Sequence, residues 1–166
     1  MPTTTPAGDA MARPRQFDEQ AVMDAATRCF WSRGYEATSI QDLVGETGIT
    51  AASLYNAFGD KRSLFRAALD RYAEASVGER LRRCEALPPR QAIGAFFDEI
   101  LARSLNDREH KGCLLVNSAL ELAPHDPEFR EVIAGVLARI EAFFLRSVKA
   151  GQADGTIGRA TPAGAM

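Results

Sequence analysis

Between Thr50 and Lys61 the chain reads Thr50-Ala51-Ala52-Ser53-Leu54-Tyr55-Asn56-Ala57-Phe58-Gly59-Asp60-Lys61. Two hydroxyls, a phenol, a carboxamide and an ammonium stand close together, and the chemistry they offer is recognition by hydrogen bonding and charge. The Asn56 carboxamide has the geometry to bond adenine through two hydrogen bonds in a major groove, a contact worth about 1–3 kcal/mol of discrimination. A contact to phosphate is the other reading open to it. At helical spacing Leu54 and Phe58 (i, i+4) point one way, with Ile49 just before the helix, and Thr50, Ala51, Ala52, Tyr55 and Asn56 are left facing outward.

The elements that hold these side chains are dictated by caps. Thr38 is a suitable N-cap, with Gln41 three residues later in capping-box position. Ile40, Leu43 and Val44 then share one helical face. Gly48 can take the left-handed conformation that ends this helix, and Thr50 can cap the next. Gly59 stops the second helix and Asp60 caps a third, which carries Lys61 and Arg62 in its first turn. Two short helices joined by a tight glycine-containing turn, the second presenting small and hydrogen-bonding residues, have the shape of a helix-turn-helix that enters a major groove.

Charge supports this reading only through placement. The 166 residues hold 20 Lys+Arg against 22 Asp+Glu, and residues 1–66 hold seven basic side chains against eight acidic, whereas a nucleic-acid binder is expected to be basic somewhere. Attraction to phosphate must come from the Arg13/Arg15 arm, from Lys61 and Arg62, and from the partial positive charge of the helix N-termini at Thr38, Thr50 and Asp60. With 46% hydrophobic and 25% charged residues the composition is that of a soluble globular protein. No apolar run approaches the ~18 residues of a membrane span, and residues 1–15 lack the apolar core of a signal peptide. Three cysteines, Cys29, Cys84 and Cys113, are an odd number at unrelated spacings, which argues for a reducing cytoplasm and against a disulfide framework.

Taken in order, residues 1–16 have the composition of a disordered arm, whose arginines can reach a minor groove or remain solvated. Asp18 caps a first helix with the stripe Val22, Ala25, Ala26, Cys29 and Phe30, ended by Gly34. These elements and the start of the next helix make a domain over 17–66. Helical spacing continues from Leu64 through Tyr72 to Leu81, a long rigid connection to a second helical domain over 67–150. There Pro88-Pro89 opens a helix with the stripe Ile93, Phe96, Phe97, Ile100 and Leu101. Residues Cys113–Ala123 form an apolar, buried segment, and Asp126-Pro127 opens a last helix whose apolar arc, from Phe129 to Val148, is wide enough to face its own core and another subunit. From Gly151 the chain reads as a flexible tail without a helical stripe. No strand pattern and no cofactor motif is present: there is no Gly-rich phosphate loop and no P-loop lysine, and no metal site or catalytic set is assigned.

Asn117 and Glu121 (i, i+4) can line an effector pocket beside Phe96, Phe97, Ile100 and Cys113, since buried polar groups need partners and a ligand can be one. Bonding within the protein is the alternative, with Arg139 as the partner of Glu121. His110 and Cys113 stand three apart, so a continuous helix would put them on one face for thiol activation or soft-metal binding; Gly112 interrupts it, and a buried structural thiol is the preferred reading.

The run Gly34-Tyr35-Glu36-Ala37-Thr38-Ser39-Ile40, then Gly48-Ile49-Thr50-Ala51-Ala52-Ser53-Leu54-Tyr55-Asn56-Ala57-Phe58-Gly59-Asp60-Lys61 and Leu64-Phe65, resembles the DNA-binding domain of the TetR/AcrR transcriptional regulators. Gly112-Cys113-Leu114-Leu115-Val116-Asn117 resembles, less specifically, the ligand-binding and dimerising domain of that family. The resemblance implies an all-helical homodimer, a repressor that binds a palindromic double-stranded operator and is released by a small-molecule effector. It implies that Thr38 and Lys61 hold phosphates, that Tyr55 and Asn56 contact backbone or bases, and that Thr50, Ala51 and Ser53 lie in the groove; Arg15 and Ser39 complete the DNA-facing set. Many members carry lysine and glycine where Ala51-Ala52 stand, and members usually continue into a further C-terminal helix beyond the point where this sequence ends. The readings from other classes are a helical interaction module and a redox or metal sensor using Cys113.

Overall fold

The computed structural model describes residues 17–159, which form eight α-helices joined by short turns and, among the described residues, no strand. Helix α1 (Glu19–Arg33) is capped by Asp18, whose carboxylate accepts from the amides of Gln20 and Ala21, and is closed by Gly34 at φ 84°. Helices α2 (Ile40–Thr47) and α3 (Ala51–Phe58) are separated by a turn in which Gly48 is left-handed at φ 71° and Thr50 accepts from Ser53 N–H. Gly59 and Asp60 then end α3 and cap α4 (Lys61–Ala73). All of these stops and starts follow from local backbone chemistry.

One cap lies a residue beyond its expected place. Ser39, and not Thr38, caps α2, and its capping-box partner is Asp42, and not Gln41. Thr38 is fully buried, with its hydroxyl donating to the Gly34 carbonyl at 2.5 Å. The inward position needs a side chain that can satisfy its own hydroxyl locally, and threonine does so against the carbonyl four residues earlier.

Helix α4 continues without a break through a π-helical turn (Glu74–Gly78) into α5 (Glu79–Glu85). At Gly78 the Glu74 carboxylate lies back over the backbone, in the space that a Cβ would occupy. From that position Glu74 pairs with Arg82 and with Arg139 of α8 at 3.2 Å, so the expected Arg139–Glu121 pair does not form. Helices α6 (Pro89–Asn106), α7 (Leu114–Glu121) and α8 (Pro127–Ala153) complete the bundle. Residues 151–153 belong to α8 and not to a tail, because Gly151 is buried and receives Ile157 on a surface where any Cβ would meet it. On α7 burial is one-sided: Leu114, Leu115 and Ser118 face the core while Val116 and Leu120 stand exposed, a correction to the fully buried segment that its composition suggests.

The two halves share one core. Phe65 on α4 packs against Phe30, Tyr35 and Phe129, with ring centroids 4.9, 4.9 and 5.3 Å away, so the first turn of α8 is built into the helix-turn-helix. Outside these rings Arg62 grips both oxygens of Asp126 and the Glu128 carboxylate at 2.6 Å, and its guanidinium lies over Phe129. Arg62, expected to attract phosphate, is thus committed to holding α4 against α8, and sequence gave no hint of a partner 64 residues away.

Hydrogen bonds from Arg62 hold the Asp126 carboxyl down at about 2. Because the folded value lies below the ordinary carboxylate value near 3.9, the tie contributes fully above about pH 4 and is lost as pH falls through 2. Asp126→Asn keeps the helix cap and removes the charge. Thermal melts between pH 7 and pH 2 should therefore show wild type more stable than this variant at pH 5, with the gap closing between pH 4 and pH 2; a gap independent of pH would contradict the ion pair.

Candidate nucleic-acid interface and effector cavity

Helix α3 buries Leu54, with Ile49 and Phe58 packed against the same core. Its other face is open: Tyr55 is 44% exposed and Asn56 and Ala52 are exposed, while Ala51 and Ser53 are half-buried at the first turn. Among the described residues neither the Tyr55 phenol nor the Asn56 carboxamide has a hydrogen-bond partner, so both groups are available to an outside one. Thr50 Oγ1 donates to Ser53 Oγ at 3.0 Å, which leaves the Ser53 hydroxyl proton pointing away from the cap. The face therefore offers a phenol, a carboxamide, a hydroxyl and two alanine methyls across two turns of helix.

The rim of this face is set by helix N-termini. At α2 the Ser39 hydroxyl and amide both bond Asp42, holding that carboxyl below its usual range. Arg33 pairs with the same carboxylate at 2.9 Å, so the acid does not oppose phosphate with a free charge. Lys61 lies folded over the Tyr35 ring, Nζ 4.4 Å from its centroid and 3.5 Å from the Glu36 carbonyl. It stands at the corner between the α1–α2 turn and α4, where a phosphate bridging those elements would meet it. Thr38, by contrast, is sealed beneath this corner and supplies no contact through its side chain. Arg15 lies outside the described residues.

The turn that carries this corner is fixed from the other half of the chain. Glu121, the last residue of α7, accepts from Tyr35 N–H at 3.0 Å and Glu36 N–H at 2.8 Å. A Cβ at Gly34 would come within 3.0 Å of the same carboxylate, so the glycine leaves room for the clasp as well as adopting its positive φ. Glu121 is accordingly a strut between domains and does not line the effector pocket, a role concealed in the sequence because its partners are backbone amides 86 and 85 residues earlier. Losing two charge-assisted hydrogen bonds should cost about 3 kcal/mol. Hydrogen exchange of Glu121→Ala is expected to show faster amide exchange at Tyr35 and Glu36 while α5 and α6 keep their protection; unchanged protection at these two amides would show the strut to be unimportant.

A cavity of about 730 Å³ opens between α4, α5, α6, α7, α8 and the loop at 107–113. Of the expected lining residues, Phe96, Ile100 and Cys113 are present. Phe97 is 56% exposed on the far side of α6, and Asn117 is turned to the loop, where its amide donates to the Lys111 carbonyl at 2.9 Å. Tyr72, which helical spacing places on the connecting helix, and Trp31 of α1 form part of the wall. Trp31 Nε1 donates to the Gly112 carbonyl at 3.1 Å and so ties α1 to the cavity rim. His110 and Cys113 both border the cavity, yet they do not share a helical face: the loop carries His110 at φ 53° and Gly112 at φ 67°. Among the described residues no group of three or more His, Cys, Asp or Glu is arranged to hold a metal ion. The Cys113 thiol lies against the Tyr72 phenol, whose pKa burial first, and then that thiol, pushes up to about 12.

A capped helix pair with an open hydrogen-bonding face, locked to a helical bundle that borders a cavity, is the layout of a helix-turn-helix DNA-binding protein. Comparison with known proteins gives the family. Residues 22–68 match the family model for bacterial regulatory proteins of the tetR family, and residues 89–166 match the tetracyclin repressor-like C-terminal domain. The chain belongs to the TetR family of transcriptional regulators. It is 35% identical over 150 residues to YezE of Bacillus subtilis, an uncharacterized HTH-type transcriptional regulator, covering 87% of this chain and 77% of YezE. It is 40% identical over 114 residues to the HTH-type transcriptional repressor ComR of Escherichia coli, covering 68% of this chain and 54% of ComR. Among solved structures a cysteine-substituted CifR, a TetR-family regulator complexed with a 26-base-pair operator DNA, superposes with a TM-score of 0.79 at 32% identity, covering 91% of this chain and 80% of that one. Among the described residues no helix is long and apolar enough to cross a membrane.

Proposed function

We infer that this chain is a repressor which binds a palindromic operator as a homodimer and lets go when a small molecule occupies the cavity. The observation that carries this reading is the exposed Tyr55–Asn56 pair, without a hydrogen-bond partner among the described residues, on a helix whose opposite face packs Leu54 and Phe58 against the core. In this reading α3 lies in the major groove with Thr50, Ala51, Ser53, Tyr55 and Asn56 toward the bases and adjoining backbone. Lys61 and the N-terminus of α2 at Ser39 hold phosphates on either side. The operator-bound CifR structure supports DNA as the partner.

Dimerisation is supported by the row Phe97, Leu101 and Leu105 on α6, spaced four apart and 56%, 57% and 77% exposed. Phe97 stacks on Phe144 of α8 at 5.4 Å, so this apolar surface runs across two helices. Exposed apolar surface of this extent marks an interaction site. Leu101→Glu is expected to convert a dimer into a monomer in analytical ultracentrifugation and to weaken operator binding with it; an unchanged sedimentation coefficient would place the interface elsewhere.

The cavity acts on the DNA face through struts already described: α7 runs from the cavity wall to Glu121, and α1 is tied to the cavity rim through Trp31. The test is selection of operators from random DNA by the purified protein. An inverted repeat with half-sites one helical turn or a multiple apart supports the reading, and failure to enrich any sequence would overturn it.

A further inference from the structure

The cavity is apolar in its walls but cationic in its polar groups. Val77, Phe96, Leu115 and Ile140 supply apolar surface, while Arg80, Arg103 and Lys111 border the same space with a single acid, Asp107. That acid is engaged, its Oδ2 accepting from Gly112 N–H at 2.9 Å. Lys111 has a partner outside, Glu109, at 2.5 Å. The two arginines are less well satisfied.

Arg80 is only 8% exposed, and its Nε is buried without a hydrogen-bond partner. The nearest carboxylate is Glu99, 3.5 Å away, and Glu99 gives its better geometry to Arg83, at 2.7 and 3.2 Å. One carboxylate thus serves two guanidinium ions, and the buried one is left under-neutralised. Arg103 has ring faces as its contacts: its guanidinium carbon is 5.3 Å from the centroids of both Trp31 and Tyr72. Arg80 also lies over the Phe96 ring, its guanidinium carbon 5.3 Å from the centroid, so its one carboxylate is shared and its other neighbour is a ring face; a buried polar group left with incomplete hydrogen bonding carries a desolvation cost that a further acceptor can relieve.

We propose that this cavity takes an organic anion, a carboxylate-type group on an apolar body, with the anion between Arg80 and Arg103 and the body against Phe96, Leu115 and Ile140. The inference rests on the cavity being the effector site and names the chemistry of its ligand. The volume, about 730 Å³, suits a molecule of drug-like size. Pairing with the anion draws Arg103 away from Trp31, and Trp31 belongs to α1 of the DNA-binding half, so binding charge in the cavity bears directly on the helix-turn-helix.

The test uses the full chain and two fluorescent probes with matching aromatic bodies, anilinonaphthalene sulfonate, which is an anion, and N-phenylnaphthylamine, which is neutral. The sulfonate should bind saturably with about one site per chain and at least about tenfold more tightly than the amine. Arg103→Met, a change at an exposed side chain that the fold tolerates, should abolish this preference while leaving the affinity of the amine unchanged. Arg80→Met should do the same, and Arg90→Met, a surface change remote from the cavity, should do neither. Equal affinities in the wild-type protein, or a preference that survives both Arg103→Met and Arg80→Met, would overturn the assignment of an anion yet leave the cavity as a ligand site. Saturable binding of neither probe would overturn the cavity as effector site together with it.

Discussion

Asn56→Ala is expected to weaken binding to a selected operator by about 5- to 150-fold, the range that follows from losing a contact worth about 1–3 kcal/mol. Folding should not account for the loss. The side chain is exposed, and surface changes of this kind stay within about 0.5 kcal/mol of wild type, so the melting temperature should be unchanged. Fluorescence anisotropy on operators varied one base pair at a time separates the two contacts open to a carboxamide. If Asn56 reads a base, the variant loses discrimination at one position of each half-site and binds the remaining positions as before. If it holds a phosphate, affinity falls evenly for all sequences. Tyr55→Phe, which removes only the hydroxyl, should add a smaller and sequence-independent loss. An Asn56→Ala protein that binds its operator like wild type would remove α3 from the reading head.

The largest effect on stability is expected at Phe65. Its ring is 1% exposed and touches Phe30 and Tyr35 of the DNA-binding half and Phe129 of α8. Phe→Ala at such a site costs about 3–5 kcal/mol through lost burial and the cavity left behind, which for a chain of this length lowers the melting temperature by about 10 °C. Since the ring joins both halves, calorimetry of Phe65→Ala should show one transition moved down as a whole. A second transition splitting off, with the C-terminal half melting at its original temperature, would show instead that the halves fold independently.

What could be read from the sequence was whatever a residue decides with its near neighbours. Asp18, Gly48, Thr50, Gly59, Asp60 and Asp126 each cap or end a helix where their own backbone chemistry requires it. At Thr38-Ser39 two adjacent residues were both able to cap. The choice fell to Ser39 because Asp42 answers it and because the fold needs a buried residue at 38, a fact no local pattern contains. The outward face of α3 was legible because Leu54 and Phe58 already define an inward one.

The long-range work of charged side chains was not legible. Arg62 looked like a phosphate ligand and Glu121 like a pocket residue, and both turned out to join the two domains. Ion pairs carry no periodicity, so nothing in the chain announces which carboxylate an arginine will meet 64 residues later. The cationic lining of the cavity was missed for the same reason, since Arg80 on α5 and Arg103 on α6 border one space only when the bundle forms. Of the apolar residues expected together, Phe96 and Ile100 line the cavity while Phe97 turns outward onto Phe144, and the loop at 107–113 captures the Asn117 amide.

Methylation interference on a selected operator tests the central claim most directly, because methyl groups on guanine N7 fill the major groove where α3 is placed. Binding should be blocked by methylation at two clusters of guanines related by two-fold symmetry and separated by one helical turn or a multiple of it, and Asn56→Ala should lose sensitivity at one position within each cluster. Interference confined to the minor groove, or a single unrepeated cluster, would contradict a symmetric pair of recognition helices.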